Sequence, residues 1–214
     1  MGKIDRYEEN CAHAQVGELF TFGHYPQGPN GEVEPITWRV LKRDSNSLLV
    51  ISDKGLDAKP YNEVFSDVTW ADCTLRHWLN EKFFNRAFSE QEQSLIKTSN
   101  VSNNAGPSTA DRIFLLSVDE AQNLFADCKA REAKLTEYAI KNHACTEIDG
   151  PYAGNAWWWL RSHGNDVKYA AGVNSDGSIN NGGHRVTGKR GCIRPALRFA
   201  IYSKPKAMIG RKQE

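Results

Sequence analysis

The chain has 214 residues, a formal net charge of +1 at pH 7, 40% hydrophobic residues and 25% charged residues. This length suits one sizeable domain with a core and is short for two domains of ordinary size. The small net charge provides no overall field that would attract nucleic acid or an anionic membrane surface. No apolar run approaches the ~20 residues that cross a bilayer. We therefore expect a single domain that neither binds nucleic acid nor inserts into a membrane.

The cysteines and histidines form no local disulfide or metal pattern. Five cysteines, an odd number without a CxxC pair, favour reduced thiols in a cytosol. None of the six histidines forms an HxH or HxxxH motif, so we expect no zinc site built from local motifs. The first 15 residues lack the basic-then-apolar layout of a secretory signal, which predicts a cytoplasmic location for the sequence as given. The alternative is a cell-surface or phage-particle location, with a leader that has been removed.

Period-two patterns predict a small antiparallel sheet in the first quarter of the chain. Residues 1–16 are polar and unpatterned, as expected of a loose lead-in, and we expect one domain over residues 17–202. Residues 17–26 alternate apolar and polar positions and lead into a turn-rich loop with Gly and Pro. Residues 36–52 alternate on both sides of the turn residues 44–46, which predicts a hairpin.

A helical pattern follows the sheet. Thr69 is predicted to cap a helix over residues 70–80, with Asp72 placed where an acidic side chain reaches back to the first amide groups. Trp78 lies on the apolar face of this helix, and we interpret it as core rather than as a platform for a ligand. The same interpretation applies to Phe83, Phe84 and Phe88.

Three further caps predict short helices. Ser89 precedes EQEQSLI, Ser117 opens the capping-box sequence SVDE, and Thr136 begins one or two helical turns. Residues 112–116, RIFLL, predict a short strand. The charged stretch KAREAKL, which precedes Thr136, shows no pattern.

Strand-like alternation returns in the last quarter. Strands are predicted over residues 157–161, 169–174, 179–185 and 192–201. The sequence SDGS at residues 175–178 predicts a tight hairpin turn of the Asp-Gly type. Pro195 favours an edge or bulge position for the last strand. Residues 203–214 are expected to form a flexible tail.

Trp157, Trp158 and Trp159 immediately precede the most polar and glycine-rich part of the chain. Large aromatic rings with few rotatable bonds suit a rigid frame, and residues 174–191 supply small, polar, turn-forming side chains. Adaptable donors and acceptors on a rigid scaffold suit recognition better than catalysis. The alternative interpretation is a set of ordinary surface turns.

Several motifs occur in an order that resembles a known family. They are FGHYPQ (22–27), ITWRVL (36–41), LLVISDKGLDAKPYN (48–62), TW with LRHWLN (69–80), FLLSVDEA (114–121), WWWLRS (157–162), YAAGVNSDGSI (169–179) and IRPALR (193–198). This order resembles a bacterial domain family of unassigned function. That family is similar to a branch of the C-type-lectin-like fold, which formylglycine-generating enzymes share with the variable proteins of diversity-generating retroelements. The resemblance covers residues 17–201.

The resemblance implies an α+β, C-type-lectin-like fold with twisted antiparallel sheets, flanking helices and a long irregular C-terminal region that displays ligand-binding residues. In the retroelement variable proteins this region lies between a tryptophan motif and a terminal arginine-bearing strand, which corresponds here to residues 163–189. The implied frame is Trp157, Trp158, Trp159, Leu160, Arg161, Arg194 and Pro195. The implied ligand-binding residues are His163, Asn165, Asp166, Lys168, Tyr169, Asn174, Ser178, Asn180, Asn181 and His184. We interpret the two frame arginines as structural donors to backbone carbonyls rather than as substrate clamps.

The first functional hypothesis is a non-enzymatic module that binds a protein or peptide, such as a diversified receptor or adhesion protein of a phage or bacterial surface system. It needs no catalytic residue and no cofactor. The second is a metal-dependent oxidase similar to the formylglycine-generating enzymes, which requires two neighbouring thiols. Cys145 and Cys192 are the late candidates, and they lie 47 positions apart. A purely structural or interaction domain is the third.

Calcium is a separate question. Asn174, Asp176 and Ser178 alternate oxygen-bearing side chains as a calcium loop does. An Asp-Gly hairpin turn explains the same residues equally well. Our expectation is a protein without a cofactor, with calcium as the alternative.

Overall fold

The computed structural model describes residues 13–201, which form two larger β-sheets, one two-stranded sheet and seven short helical segments. Strands predominate over helices, and nearly all strand pairs are antiparallel. Thus the expectation of mixed helices and antiparallel sheets is confirmed at this level. The predicted tail at 203–214 and most of the predicted lead-in lie outside the described residues.

The first sheet contains the three strands predicted for the N-terminal quarter. They are β1 (Leu19–Pro26), β2 (Val33–Arg43) and β3 (Ser47–Ser52). Strand β3 also pairs with β13 (Ala196–Ala200), which in turn pairs with β5 (Ile96–Lys97) and β8 (Ile113–Phe114). All six residues of β3 are buried, and β2 and β13 pair with its two edges.

The second sheet holds the C-terminal hairpin. Its order is β11 (Ile179–Arg185), β10 (Tyr169–Val173), β9 (Trp158–His163), β12 (Cys192–Ile193) and β4 (Asp57–Ala58). Strands β9 and β12 pair in parallel. A separate two-stranded ladder joins β6 (Ser99–Val101) and β7 (Thr109–Asp111).

The prediction of one continuous strand over residues 192–201 is wrong. This stretch is split into β12 and β13, which belong to different sheets. Arg194 and Pro195 form the break, and the carbonyl of Pro195 accepts a hydrogen bond from the Ser52 amide at 2.9 Å. Proline has no amide proton for a ladder, so the chain leaves one sheet here and enters the other. Strand β13 then lies inside the first sheet rather than at its edge.

The prediction of Thr69 as a helix cap is also wrong. The Thr69 hydroxyl donates to the Asp72 carboxylate at 3.1 Å, and the following residues form a turn. Helix α1 (Thr74–Trp78) begins later, and the Cys73 sulfur accepts a hydrogen bond from the Arg76 amide. A π-helical turn (Leu79–Phe83) and α2 (Phe84–Ala87) continue it.

The other three predicted caps are confirmed. Ser89 and Ser117 form complete capping boxes at the starts of α3 (Glu90–Leu95) and α4 (Val118–Asn123). Thr136 caps α6 (Glu137–Lys141). The patternless charged stretch contains part of α5 (Cys128–Arg131), which Asp127 caps.

A hydrophobic core lies across both sheets. Its largest buried side chains include Trp38, Trp70, Trp158 and Trp159, each no more than 1% exposed. Phe83, Phe84 and Phe88 are buried, and Trp78 packs against the same core, so the prediction of these four aromatics as core is confirmed. Ala14 of the predicted lead-in is buried as well, and its carbonyl accepts from Arg43. Among residues 13–201, no helix has the length and apolar character to span a membrane.

Candidate ligand-binding surface

The tryptophan run forms a rigid base for the second sheet. Trp158 and Trp159 are fully buried, and their indole nitrogens donate to the carbonyls of Arg131 and Lys59 at 3.1 and 3.0 Å. Trp157 is partly buried and packs edge-on against Trp159, with ring centroids 4.7 Å apart. Each indole is thereby held by packing, and the two buried ones also by a hydrogen bond, which fixes the orientation of β9.

Two buried arginines brace this base. Arg161 donates to the backbone carbonyls of Ser102 and Leu115 and forms an ion pair with Glu120. Arg194 donates to the carbonyls of Ser52 and Arg131, and its guanidinium lies 4.8 Å above the Trp158 ring. Both side chains join segments that are distant in sequence.

The ten predicted ligand-binding residues are distributed along the β10–β11 hairpin, from its turn to its open end. Hairpin β10–β11 places its turn, residues 174–178, beyond Val173, whereas Tyr169 pairs with Arg185 at the opposite, open end. At about 3.4 Å per residue, the two ends lie roughly 14 Å apart. Asn174 and Ser178 belong to the turn, and His163, Asn165, Asp166, Lys168 and Tyr169 belong to the open end. Asn180, Asn181 and His184 lie on β11 between them.

The polar side chains of the hairpin turn form hydrogen bonds with one another. The side-chain amide of Asn174 donates to the Ser178 hydroxyl at 3.0 Å. The backbone amide and the hydroxyl of Ser178 both donate to the Asp176 carboxylate. These bonds from Ser178 hold the pKa of the Asp176 carboxyl below its usual value. The Gly177 carbonyl accepts from Arg131 at 2.7 Å, which docks the turn on α5. The Asp-Gly hairpin turn is therefore confirmed.

Among residues 13–201, no group of three or more His, Cys, Asp or Glu side chains is arranged to hold a metal ion. The carboxylate of the turn, Asp176, accepts hydrogen bonds from Ser178.

His184 and Asn180 stabilise the middle of β11. The His184 ring stacks on Trp157 with centroids 4.0 Å apart, and burial lowers its pKa. The Asn180 amide nitrogen lies 3.3 Å from His184 Nε2, and Asn180 Oδ1 accepts from the Gly183 amide. Both side chains thus contribute to the base, while Asn181 is exposed.

The open end carries a shallow cleft of about 400 Å³. Its lining consists of Asn165, Asp166, Tyr169, Gly182 and Gly183. Gly183 has φ +80°, and a β-carbon there would lie 2.6 Å from the Ala170 carbonyl oxygen. Only glycine permits this close backbone approach, which shapes the cleft. Asn165 and Asp166 are exposed beside it.

Phe65 belongs to the open end, although the sequence did not single it out. Its ring is edge-on to Tyr169 with centroids 6.5 Å apart, and the Arg185 guanidinium lies 5.2 Å from its centroid. Phe65 is 47% exposed. Lys168 reaches Asp67 of the same loop at 3.5 Å. An aromatic residue in a polar loop is the sequence signal that could have indicated Phe65 as a binding residue. The sequence does not reveal, however, which strand that loop contacts.

The two late cysteines differ in environment. Cys192 is fully buried, and burial raises the pKa of its thiol to about 12. Cys145 is partly buried, and its amide donates to the Arg190 carbonyl at 3.3 Å. The fold therefore brings Cys145 near the segment that contains Cys192, and the Cys192 thiol stays protonated at neutral pH.

The fold and this surface define an α+β domain in which a hairpin presents polar and aromatic side chains from a tryptophan base. Residues 45–201 match the model of the family described as a domain of unknown function, DUF6273, and the chain belongs to this family. The matched residues include every described element except β1 and β2. No curated protein and no solved structure matches the chain.

Proposed function

We propose that the protein is a non-enzymatic module that binds another protein or a peptide through the open-end surface. We define this surface as Phe65, Asn165, Asp166, Tyr169 and Arg185. The observation that supports it is the exposed aromatic Phe65, placed beside the cleft and flanked by Tyr169 and Arg185. Aromatic and arginine side chains dominate the energetics of protein interfaces.

The base beneath this surface supports the same proposal. Trp158, Trp159 and Arg161 are at least 95% buried, and their polar groups are hydrogen-bonded within the fold. A surface that is held rigid before binding loses less conformational entropy when a ligand binds. Asn165 and Asp166 add polar groups that adapt to different partners.

We extend the proposal to the fold and to its variation. The proposed fold is a C-type-lectin-like domain of the retroelement type, and what supports it is the order of motifs that resembles that branch together with the antiparallel C-terminal hairpin. If the stretch is diversified, sequencing of residues 156–197 across the source population will show substitutions at Asn165 and Lys168. Asn174 and Ser178 will stay constant because they hold the hairpin turn. A stretch that is invariant in the population removes the diversification hypothesis and leaves a fixed binding domain.

The experiment for binding is affinity capture from source cells with variants of the full chain. The double variant Phe65→Ala, Tyr169→Ala removes the exposed ring and its neighbour in the open-end surface. The matched control is Ile148→Ala, Tyr152→Ala, which removes two other exposed apolar side chains, 86% and 39% exposed. We expect a partner that wild type and control retain and that the double variant loses, with all three proteins equally folded by circular dichroism. A partner retained equally by all three would place the binding surface elsewhere, and no partner at all would leave a structural domain.

A further inference from the structure

A second concave site lies away from the open-end surface. It is a crevice of about 330 Å³ between β2 of the first sheet and residues 124–132, the segment that follows α4 and contains α5. We name it the Arg194 crevice. Arg39, Asp53, Lys129 and Glu132 contribute to its walls, and Arg194 lines it from within. No residue of the open-end surface lines it.

Arg194 carries a charge that the described residues leave unpaired. Its side chain is 1% exposed, Nε donates to the Ser52 carbonyl at 3.1 Å, and Nη1 donates to the Arg131 carbonyl at 3.2 Å. Within residues 13–201, Nη2 has no hydrogen-bond partner and no carboxylate lies within 4.0 Å of the guanidinium. Burial lowers the pKa to about 10, so the group remains cationic at neutral pH. Asp53 acts on this charge only from beyond 4.0 Å. Because a buried cation without a direct ion pair is unfavourable, an anion bound in the crevice would stabilise it.

The two acidic side chains of the crevice are already engaged. Asp53 accepts from Arg39 at 2.6 Å, and Glu132 accepts from Asn155 at 2.8 Å. Lys129 is exposed, and among the described residues it forms no ion pair. Arg194 and Lys129 are therefore the two cations of the crevice that are open to a ligand. The rest of the lining includes the apolar side chains of Leu124 and Phe125.

From this arrangement we propose that the Arg194 crevice binds a small free monocarboxylate with a short apolar body. Its two oxygens accept from Arg194 Nη2 and from Lys129, and its apolar part packs against Leu124 and Phe125. A monocarboxylate fits better than a phosphate, because two donors are open and the lining holds three cationic side chains, Arg39, Lys129 and Arg194, against the two carboxylates of Asp53 and Glu132. The volume of about 330 Å³ is at the small end of the range for ligand pockets, which suits a small ligand.

The test uses the full chain and benzoate as the probe, with calorimetry and thermal unfolding as the measurements. Benzamide is the neutral control of the same shape, and inorganic phosphate is the control for charge alone. We expect benzoate to release or absorb heat on binding and to raise the melting temperature, and benzamide and phosphate to do neither. Equal effects of benzoate and benzamide, or no effect of benzoate, would overturn the proposal.

Variants that keep Arg194 avoid the risk of unfolding. Lys129→Gln removes the exposed cation and is expected to weaken benzoate binding about tenfold, the loss of about 1.4 kcal/mol. Lys82→Gln, an exposed lysine on the π-helical turn, is the matched control and should bind as wild type. Ala130→Leu fills the crevice without a change of charge and should abolish binding. Undiminished binding by both Lys129→Gln and Ala130→Leu would place the benzoate elsewhere.

Discussion

Arg161 shows how one side chain can hold three segments together. It is 5% exposed, extends from β9, and donates to the carbonyls of Ser102 and Leu115 and to the carboxylate of Glu120. Glu120 also accepts from the Ser117 amide at the start of α4. The planar guanidinium presents five donors in fixed directions, so it can serve several acceptors at once. An ammonium group cannot reproduce that geometry.

We therefore expect Arg161→Lys to lower the free energy of unfolding by about 3 kcal/mol, because buried acceptors lose their donors. The matched control is Arg39→Lys. Arg39 pairs with Asp53, and their side chains are 36% and 28% exposed, so this change should cost less than about 1 kcal/mol. Urea denaturation of both variants measures the two losses. Equal losses would show that burial and the number of acceptors do not distinguish these arginines.

At the scale of elements, the β10–β11 hairpin depends on one glycine. Gly177 has φ +76°, and a β-carbon there would lie 1.8 Å from the Cys128 carbonyl oxygen of α5. Its own carbonyl accepts from Arg131 at 2.7 Å. The turn therefore lies directly against α5, and this contact anchors the hairpin at the end opposite its open-end surface.

Gly177→Ala tests this contact, with Gly150→Ala as the matched control. Gly150 has φ +77° and nothing within 4 Å of an added β-carbon, so its substitution carries only the left-handed backbone penalty of about 1–2 kcal/mol. Gly177→Ala adds a clash with backbone, and we expect a further loss of about 2 kcal/mol or more. Chemical denaturation gives both values. Similar losses at the two positions would mean that the turn moves away from α5 freely.

Local signals predicted the elements better than their arrangement. Ser89, Ser117 and Thr136 each placed a helix start, because a cap depends on residues within one turn. Thr69 failed because its hydroxyl donates to the nearby Asp72 and makes a turn instead. The break at Pro195 was visible as a proline, but its effect, a change from one sheet to another, depends on partners more than 100 residues away.

The candidate surface was predictable only in part for the same reason. The tryptophans were correctly paired with a hairpin, since both lie in one stretch of sequence. The separation of Asn174 and Ser178 from His163 and Asn165 follows from strand register, which sequence proximity conceals. Phe65 joins the open end across about 100 positions, and no local pattern reports such a contact.

At the scale of the whole molecule, the core contains two buried thiols, and this predicts an alkaline limit to stability. Burial raises the pKa of both Cys73 and Cys192 from 9.0 to about 12. Because folding favours the protonated thiol, each thiol contributes to the free energy of unfolding. That contribution is fully present below pH 9 and is lost as the pH rises toward 12. Tyr25 and Tyr61 also have pKa values raised by burial from the ordinary value of 10.0, so they add to the loss of stability as the pH rises above about 10.

Between pH 8 and pH 10 the two thiols should together lower the free energy of unfolding by roughly 3 kcal/mol, about 1.4 kcal/mol for each. Urea denaturation at intervals of pH measures this slope. Cys192→Ala should remove about half of it, whatever its effect on stability at neutral pH. If Cys192→Ala and wild type lose stability in parallel up to pH 10, the Cys192 thiol is not the group that opposes ionisation in the core.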